Sequence, residues 1–475
     1  MDTATILTLL VLAIGLYMAW NIGANDVSNA MGTSVGSGAL TLRRAVILAA
    51  VLEFSGAFFL GSHVSETMQK GLIHTQLFAE DPLILVLGMC AALCGTGVWL
   101  QIASFFGWPV STTHAIVGAI LGFAGVIMGI DAIQWNAVNS IATSWVISPV
   151  LAGMISYFVF NMLQRNILYA MNPLEAARKF IPLLTFIALG VFTLSLLFNG
   201  LTHLNWHFSF IQVLAFAFVI GSIASFIAFL LVRRVYSPNE STPISRYSPQ
   251  TVISLEKALK HLQRVHVVSY DETHEQIGHL VKEIQSLSQQ LRQETNFLER
   301  TSEYTSVEKM FGYLQILSAS FVAFGHGAND VANAIGPVAA VLDIINRGIV
   351  SQAATVPSWL LVFGGLGIVT GLATWGWRVI ATIGKKITEL TPTRGFSAEF
   401  GTAITILLAS KLGLPVSTTH CLVGAVLGVG LARGIRALNL RMLRDIALSW
   451  VITLPASAIT SVLIFYLLKL FLYKF

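Results

Sequence analysis

Charge is scarce in this chain. Lys, Arg, Asp and Glu make up 11% of its 475 residues, against about 25% in ordinary soluble domains. That scarcity excludes a soluble globular class, and a mean hydropathy of +0.75 agrees. Cysteine is rarer still. Cys90, Cys94 and Cys421 all lie in apolar stretches, with no partners at zinc-ligand spacing, so they read as small buried hydrophobes. No Lys/Arg-dense run with interleaved aromatics occurs, which leaves no nucleic-acid partner to expect. The formal net charge of +5 is the usual bias of cytoplasmic loops. A basic n-region is missing too, with Asp2 at its place, so the first apolar segment is expected to stay as a membrane helix rather than be cleaved.

What the chain does have is apolar runs, at 4–20, 45–61, 83–102, 181–198, 213–232, 359–377 and 450–468. Each approaches the length that crosses a bilayer, and together with shorter apolar segments they predict an all-α, polytopic membrane protein with about 12 membrane segments. The hydropathy breaks once for long, at 233–310, which splits the chain into a front membrane half (1–232), a linker (233–310) and a back membrane half (311–475). The linker carries Ser237-Pro238 and Ser248-Pro249, then Leu280, Ile284, Leu287, Leu291 and Leu298 near a heptad seam. Two readings stand: a solvated amphipathic helix packed on itself or on the membrane face, or a regulatory or dimer-forming element. Arg233 and Arg234 end one apolar run at its start, which predicts a cytoplasmic linker.

Two polar motifs occur twice, in the same order. Gly23-Ala24-Asn25-Asp26-Val27-Ser28-Asn29-Ala30 returns as Gly327-Ala328-Asn329-Asp330-Val331-Ala332-Asn333-Ala334, and Pro109-Val110-Ser111-Thr112-Thr113-His114 returns as Pro415-Val416-Ser417-Thr418-Thr419-His420. The offsets nearly agree: 330 − 26 = 304 and 417 − 111 = 306. Polarity inside a membrane is usually functional. A duplicated polar site points to one binding site shared by two halves, as in many secondary transporters built on discontinuous helices.

The Ser-Thr-Thr runs at 111–113 and 417–419 each precede a short apolar run and read as the starts of two half-helices, with Pro109 and Pro415 in their first turns. Free N–H groups, hydroxyls and the positive end of the helix dipole favour an anion there. Ser111, Thr112, Thr113, Ser417, Thr418 and Thr419 are therefore candidate oxyanion ligands. His114 and His420 read first as structural rings bonded to a nearby carbonyl, with ligand or proton duty as the alternative. In the other motif, Asn25, Asp26, Asn29, Asn329, Asp330 and Asn333 offer hard oxygens suited to a cation such as Na⁺, and Asn25 shares a helix face with Asn29, as Asn329 does with Asn333. Glu53 and Glu399 lie deep in apolar sequence. Such carboxylates are cation-bound, protonated or bonded to a neighbouring helix. Leu93 stands opposite Glu399 at the 306 offset, and no acidic residue matches Glu53.

The motifs contain acids but no Lys or Arg. An anion carrying about −1.5 to −2 charges then has to bring its own cations, since burying an uncompensated ion costs several kcal/mol. That predicts obligatory symport with Na⁺ or H⁺.

These residues resemble the inorganic phosphate transporter family, which includes the animal sodium–phosphate symporters. The likeness covers both halves and is most specific in the duplicated Gly-Ala-Asn-Asp motifs. The stretch 384–424, with Thr391-Pro392, Gly395-Phe396-Ser397, Glu399 and 414–421, looks like the sodium-coupled branch. The resemblance implies inverted repeats, two re-entrant hairpins, a homodimer in the cell membrane and a cytoplasmic central loop. It implies that Asn25, Asp26, Asn329 and Asp330 bind Na⁺ and phosphate, that Glu53 and Glu399 matter for transport, and that the Ser-Thr-Thr runs hold phosphate. Met89 stands where some animal members carry a further glutamate, and the central loop is shorter than theirs.

The reading is thus a cation-coupled symporter of inorganic phosphate working by alternating access, in contact with membrane lipid and needing no cofactor beyond co-transported Na⁺. The alternatives are H⁺-coupled or metal–phosphate symport, or a sulfate permease on the same fold. An enzyme with Ser111 or Ser417 as nucleophile is disfavoured, because one reaction centre rarely needs two equal nucleophiles. A passive anion channel is disfavoured by the buried carboxylates.

Overall fold

The computed structural model describes residues 3–197, 208–234, 249–294, 297–350, 356–380, 390–434 and 440–472. Ser237-Pro238, Ser248 and 384–389 lie outside them. Among the described residues the chain is helical, with no strand and a single isolated bridge between Ile73 and Ile133. Nine helices among the described residues are long and apolar enough to cross a membrane.

The front half begins with α1 (Thr3–Gly36), α2 (Leu42–Lys70), α3 (Pro82–Phe106), α4 (Thr112–Ile127) and α5 (Trp135–Leu163). Then come α6 (Pro173–Leu197) and α7 (Phe210–Arg233), an amphipathic pair α8 (Pro249–Val268) and α9 (Asp271–Glu294), and the long α10 (Phe297–Arg347). The back half continues with α11 (Ser358–Gly371), α12 (Pro392–Lys411), α13 (Thr418–Arg433) and α14 (Leu440–Leu472). The chain divides into two compact units. One holds residues 1–160, 187–221 and 312–475; the other holds 161–186 and 222–311. In the second unit α8 packs on α9, and of the expected heptad positions Leu280 and Leu287 are exposed there.

Local chemistry shapes the same hairpin twice in the first unit. Pro82 opens α3 and Pro392 opens α12, where the missing N–H costs nothing. Both helices give way to a left-handed glycine, Gly107 at φ +67° and Gly413 at φ +66°, a conformation that suits a residue without Cβ. The chain then reverses into a short helix, α4 or α13. Its cap is Ser111 or Ser417, whose Oγ accepts from the N–H of His114 (3.1 Å) or His420 (3.2 Å). The half-helices begin where the sequence places them. The prolines, however, stand two residues before the serine caps rather than in the first helical turn, because the serines take the cap.

The glycine that opens each Gly-Ala-Asn-Asp motif is a helix crossing. A Cβ on Gly23 would lie 1.9 Å from the Ile368 carbonyl oxygen, and one on Gly327 would lie 2.0 Å from that of Glu53. The partner helices answer with their own glycines: Gly371 packs on the Trp20 carbonyl and Gly56 on that of Phe324, each at 1.9 Å from a notional Cβ. α1 therefore crosses α11 backbone to backbone, and α10 crosses α2 likewise. Gly327→Ala is expected to destabilise the protein by about 2 kcal/mol or more, seen as a lower melting midpoint of the purified chain. An unshifted midpoint would contradict the crossing.

The half-helices also exchange partners. A Cβ on Gly424 of α13 would lie 2.1 Å from the Pro149 carbonyl oxygen in α5, and one on Gly118 of α4 would lie 2.6 Å from that of Leu454 in α14. Each short helix thus rests on a long helix of the other half.

Candidate functional site

Three consecutive carbonyls lead into each half-helix, and side chains fasten all three in both sets. The Trp108 carbonyl accepts from Asn25 Nδ2 (3.5 Å), and the matching Leu414 carbonyl accepts from Asn329 Nδ2 (3.2 Å). Those asparagines also donate to Ser104 Oγ (2.8 Å) and Ser410 Oγ (3.2 Å). The next carbonyls, of Pro109 and Pro415, accept from Ser449 Oγ (3.4 Å) and Trp145 Nε1 (3.1 Å). The third bonds cross between the halves, with Thr419 Oγ1 donating to the Val110 carbonyl (3.3 Å) and Thr113 Oγ1 to that of Val416 (3.0 Å).

The second asparagines complete the exchange. Asn29 donates to Thr419 Oγ1 (2.8 Å) and to Asp26 Oδ1 (3.2 Å). Asn333 donates to Thr113 Oγ1 (3.3 Å) and Thr112 Oγ1 (3.5 Å). Thr418 Oγ1 donates to Asp330 Oδ2 (3.1 Å), and Thr112 faces the Asp26 carboxylate. All of these residues are buried. Each Asn-Asp motif is therefore built against both Ser-Thr-Thr starts, and neither half makes the site alone.

The centre is acidic, and it contains a residue that the sequence reading passed over. His326 stands immediately before the second motif. Its Nε2 lies 2.9 Å from Asp330 Oδ2 and 3.7 Å from Asp26 Oδ2, and its Nδ1 lies 3.2 Å from Glu53 Oε1. All four side chains are buried. The motifs hold no Lys or Arg, but the site they build does hold one basic ring. As an imidazolium that ring offers a donor at each nitrogen. Asp26, His326 and Asp330 are close enough together for a single ion to touch all three, and buried oxygens of Asp26, Glu53, Asn329, Asp330 and Asn333 lack hydrogen-bond partners among the described residues. Hard oxygens without donors suit Na⁺ or a similar cation.

Glu399 belongs to a different group. Its Oε1 accepts from Thr33, from Ser34 Oγ (2.8 Å) and from Gln315 Nε2 (3.2 Å), and its Oε2 accepts from Ser318 Oγ (2.7 Å). This set shares no residue with the His326 group. Gln315 is held in turn by Ser37, whose hydroxyl donates to Gln315 Oε1 (2.6 Å).

His114 does not behave as a ring tied to a carbonyl, whereas His420 keeps a hydrogen bond to the backbone of Trp145. Both nitrogens of His114 and Nε2 of His420 lack partners among the described residues. The rings pack on each other, with centroids 4.3 Å apart, and on Trp145 (3.8 Å) and Trp450 (3.6 Å). Aromatic packing where the half-helices meet replaces the expected hydrogen bond of His114.

The geometry is one acidic centre at the junction of two helix starts. The chain matches the phosphate transporter family model over residues 22–461. It is 44% identical over 461 residues to inorganic phosphate transporter 2-1, chloroplastic, of Arabidopsis thaliana, covering 95% of this chain and 70% of that protein. A solved structure described as the sodium-dependent phosphate transporter superposes with a TM-score of 0.75 at 37% identity, over 98% of this chain and 99% of its own. These relatives are transporters, which sets aside the reading of Ser111 as a nucleophile. With nine apolar helices among the described residues, a duplicated polar site and this match over most of its length, the chain belongs to the phosphate transporter family and is a multi-pass membrane protein, not an enzyme.

Proposed function

We propose that the protein is a secondary transporter that moves inorganic phosphate together with Na⁺ by alternating access. The observation that carries this is the joint construction of the site: two helix starts rich in hydroxyls meet a centre holding Asp26, Asp330 and Glu53 with a single imidazole. Three carboxylates against one ring leave the centre electronegative even when the ring is charged. An anion enters such a place only with mobile cations beside it, and oxygen-rich surroundings select hard ones.

Phosphate is held by Ser111, Thr112, Thr113, Ser417, Thr418 and Thr419 with Asn25 and Asn329. Na⁺ is held by Asn25, Asp26, Asn29, Asn329, Asp330, Asn333 and Glu53. Glu399, among three hydroxyls and an amide, provides a separate cation position. The matched but exchanged contacts of the two halves support inverted repeats, whose relative rocking would expose one site to each side in turn. The sodium dependence named for the solved relative supports Na⁺ over H⁺. The family resemblance supports a homodimer in the cell membrane, and Arg233 and Arg234 support a cytoplasmic linker.

Equilibrium binding tests the coupling directly. Purified protein is expected to bind labelled phosphate in Na⁺ buffer and to lose most of that binding when choline replaces Na⁺, with sulfate a poor competitor. Equal binding in both buffers, or displacement by sulfate as effective as by phosphate, would overturn the assignment.

A further inference from the structure

The two halves match carbonyl for carbonyl except at one place. Trp145 and Trp450 are equivalent at an offset of 450 − 145 = 305, as are Ser144 and Ser449. In the front half the indole is engaged: Trp145 Nε1 donates to the Pro415 carbonyl, while Ser144 Oγ donates within its own helix to Ile141 (2.6 Å). In the back half the roles are exchanged. Ser449 Oγ reaches the Pro109 carbonyl, and Trp450 Nε1 is buried with no partner among the described residues. A buried, unpaired indole N–H is costly, and native structures seldom keep one without a reason. Each indole also packs on the histidine that ends a Ser-Thr-Thr-His run, so a movement of the ring is felt at the anion donors.

From this asymmetry we infer that Trp145 and Trp450 are paired positioning residues of a two-position latch. One indole at a time donates to the proline carbonyl that leads into the opposite half-helix, and the transport cycle exchanges which one is engaged. The conformation here has Trp145 latched and Trp450 free. In the opposite-facing conformation Trp450 bonds the Pro109 carbonyl and Trp145 releases that of Pro415. The latch rests on the alternating-access reading. It deepens that reading by naming a contact whose breaking and remaking accompanies the change of access.

The test uses the full chain labelled with 5-fluorotryptophan, with the two resonances assigned by Trp145→Phe and Trp450→Phe and followed by ¹⁹F NMR as Na⁺ and phosphate are added. Each resonance is expected to show two environments with opposite populations, Trp450 gaining the bonded form as Trp145 loses it. In liposomes, Trp450→Phe is expected to lower the maximal uptake rate about fivefold, the worth of one neutral hydrogen bond, while phosphate affinity at equilibrium stays within about twofold. Phosphate binding measured on the same samples separates the two hypotheses. Indoles that keep one environment each while phosphate still binds, or wild-type uptake by Trp450→Phe, would overturn the latch and leave the transporter reading standing.

Discussion

Asp330→Asn is expected to abolish Na⁺-driven phosphate uptake, by about a hundredfold or more, in a protein that still folds. The substitution keeps shape and removes one charge. Asp330 is buried, accepts from Thr418 Oγ1 and faces His326 Nε2 at 2.9 Å. It therefore joins the anion donors of one helix start to the acidic centre. Removing its charge weakens the cation that has to accompany phosphate, and each loss of about 1.4 kcal/mol in that interaction is a tenfold loss of occupancy. Asp26→Asn is expected to act in the same sense, since Asp26 accepts from Asn29 and faces the same ring. Labelled-phosphate uptake beside a melting curve separates coupling from folding. Full uptake by both variants would remove the aspartates from the cation site.

The second large effect concerns His326. Replacing it with leucine leaves Asp26, Asp330 and Glu53 facing one another without a basic partner in a buried centre. Breaking a buried charge pair from one side costs about 3–5 kcal/mol, so His326→Leu is expected to lower the melting midpoint sharply and to stop uptake. The companion variant Glu53→Gln removes one of the stranded charges. In the double variant part of the lost stability is expected to return, and a double-mutant cycle reads that coupling. Strictly additive effects of the two substitutions would mean that His326 and Glu53 do not interact. Glu53→Gln alone is expected to slow turnover more than it destabilises.

Much of the site was legible because it is written twice. The glycines, asparagines and hydroxyls of the two motif pairs announced themselves by repetition, and the serine caps followed from residue type. The exchange of partners was not legible. Nothing in the spacing says that Thr113 reaches Val416 or that Thr419 reaches Val110, because those bonds depend on how the halves fold around each other. His326 escaped for the opposite reason: its counterpart is Ile22 at the 304 offset, so a search for repetition passes over it. A histidine within an apolar stretch beside a polar motif was signal enough.

Glu53 looked unmatched because the register slips around it. Structure pairs it with Ile368 and Gly56 with Gly371, at 368 − 53 = 315 and 371 − 56 = 315. Eleven more residues than at the first motif (315 − 304 = 11) therefore separate the first and second helices of the back repeat. With that shift the acid faces an isoleucine position, and the asymmetry is real. Glu399, opposite Leu93, is asymmetric too. Its partners come from the far end of α1 and the near part of α10, a neighbourhood set by tertiary packing that no local pattern records.

Uptake of labelled phosphate by proteoliposomes, under a Na⁺ gradient alone and under a pH gradient alone, tests the central claim most directly. An electronegative centre that admits an anion only with Na⁺ predicts concentrative uptake under the Na⁺ gradient and little under the pH gradient. Uptake that ignores Na⁺ and follows the pH gradient would contradict it.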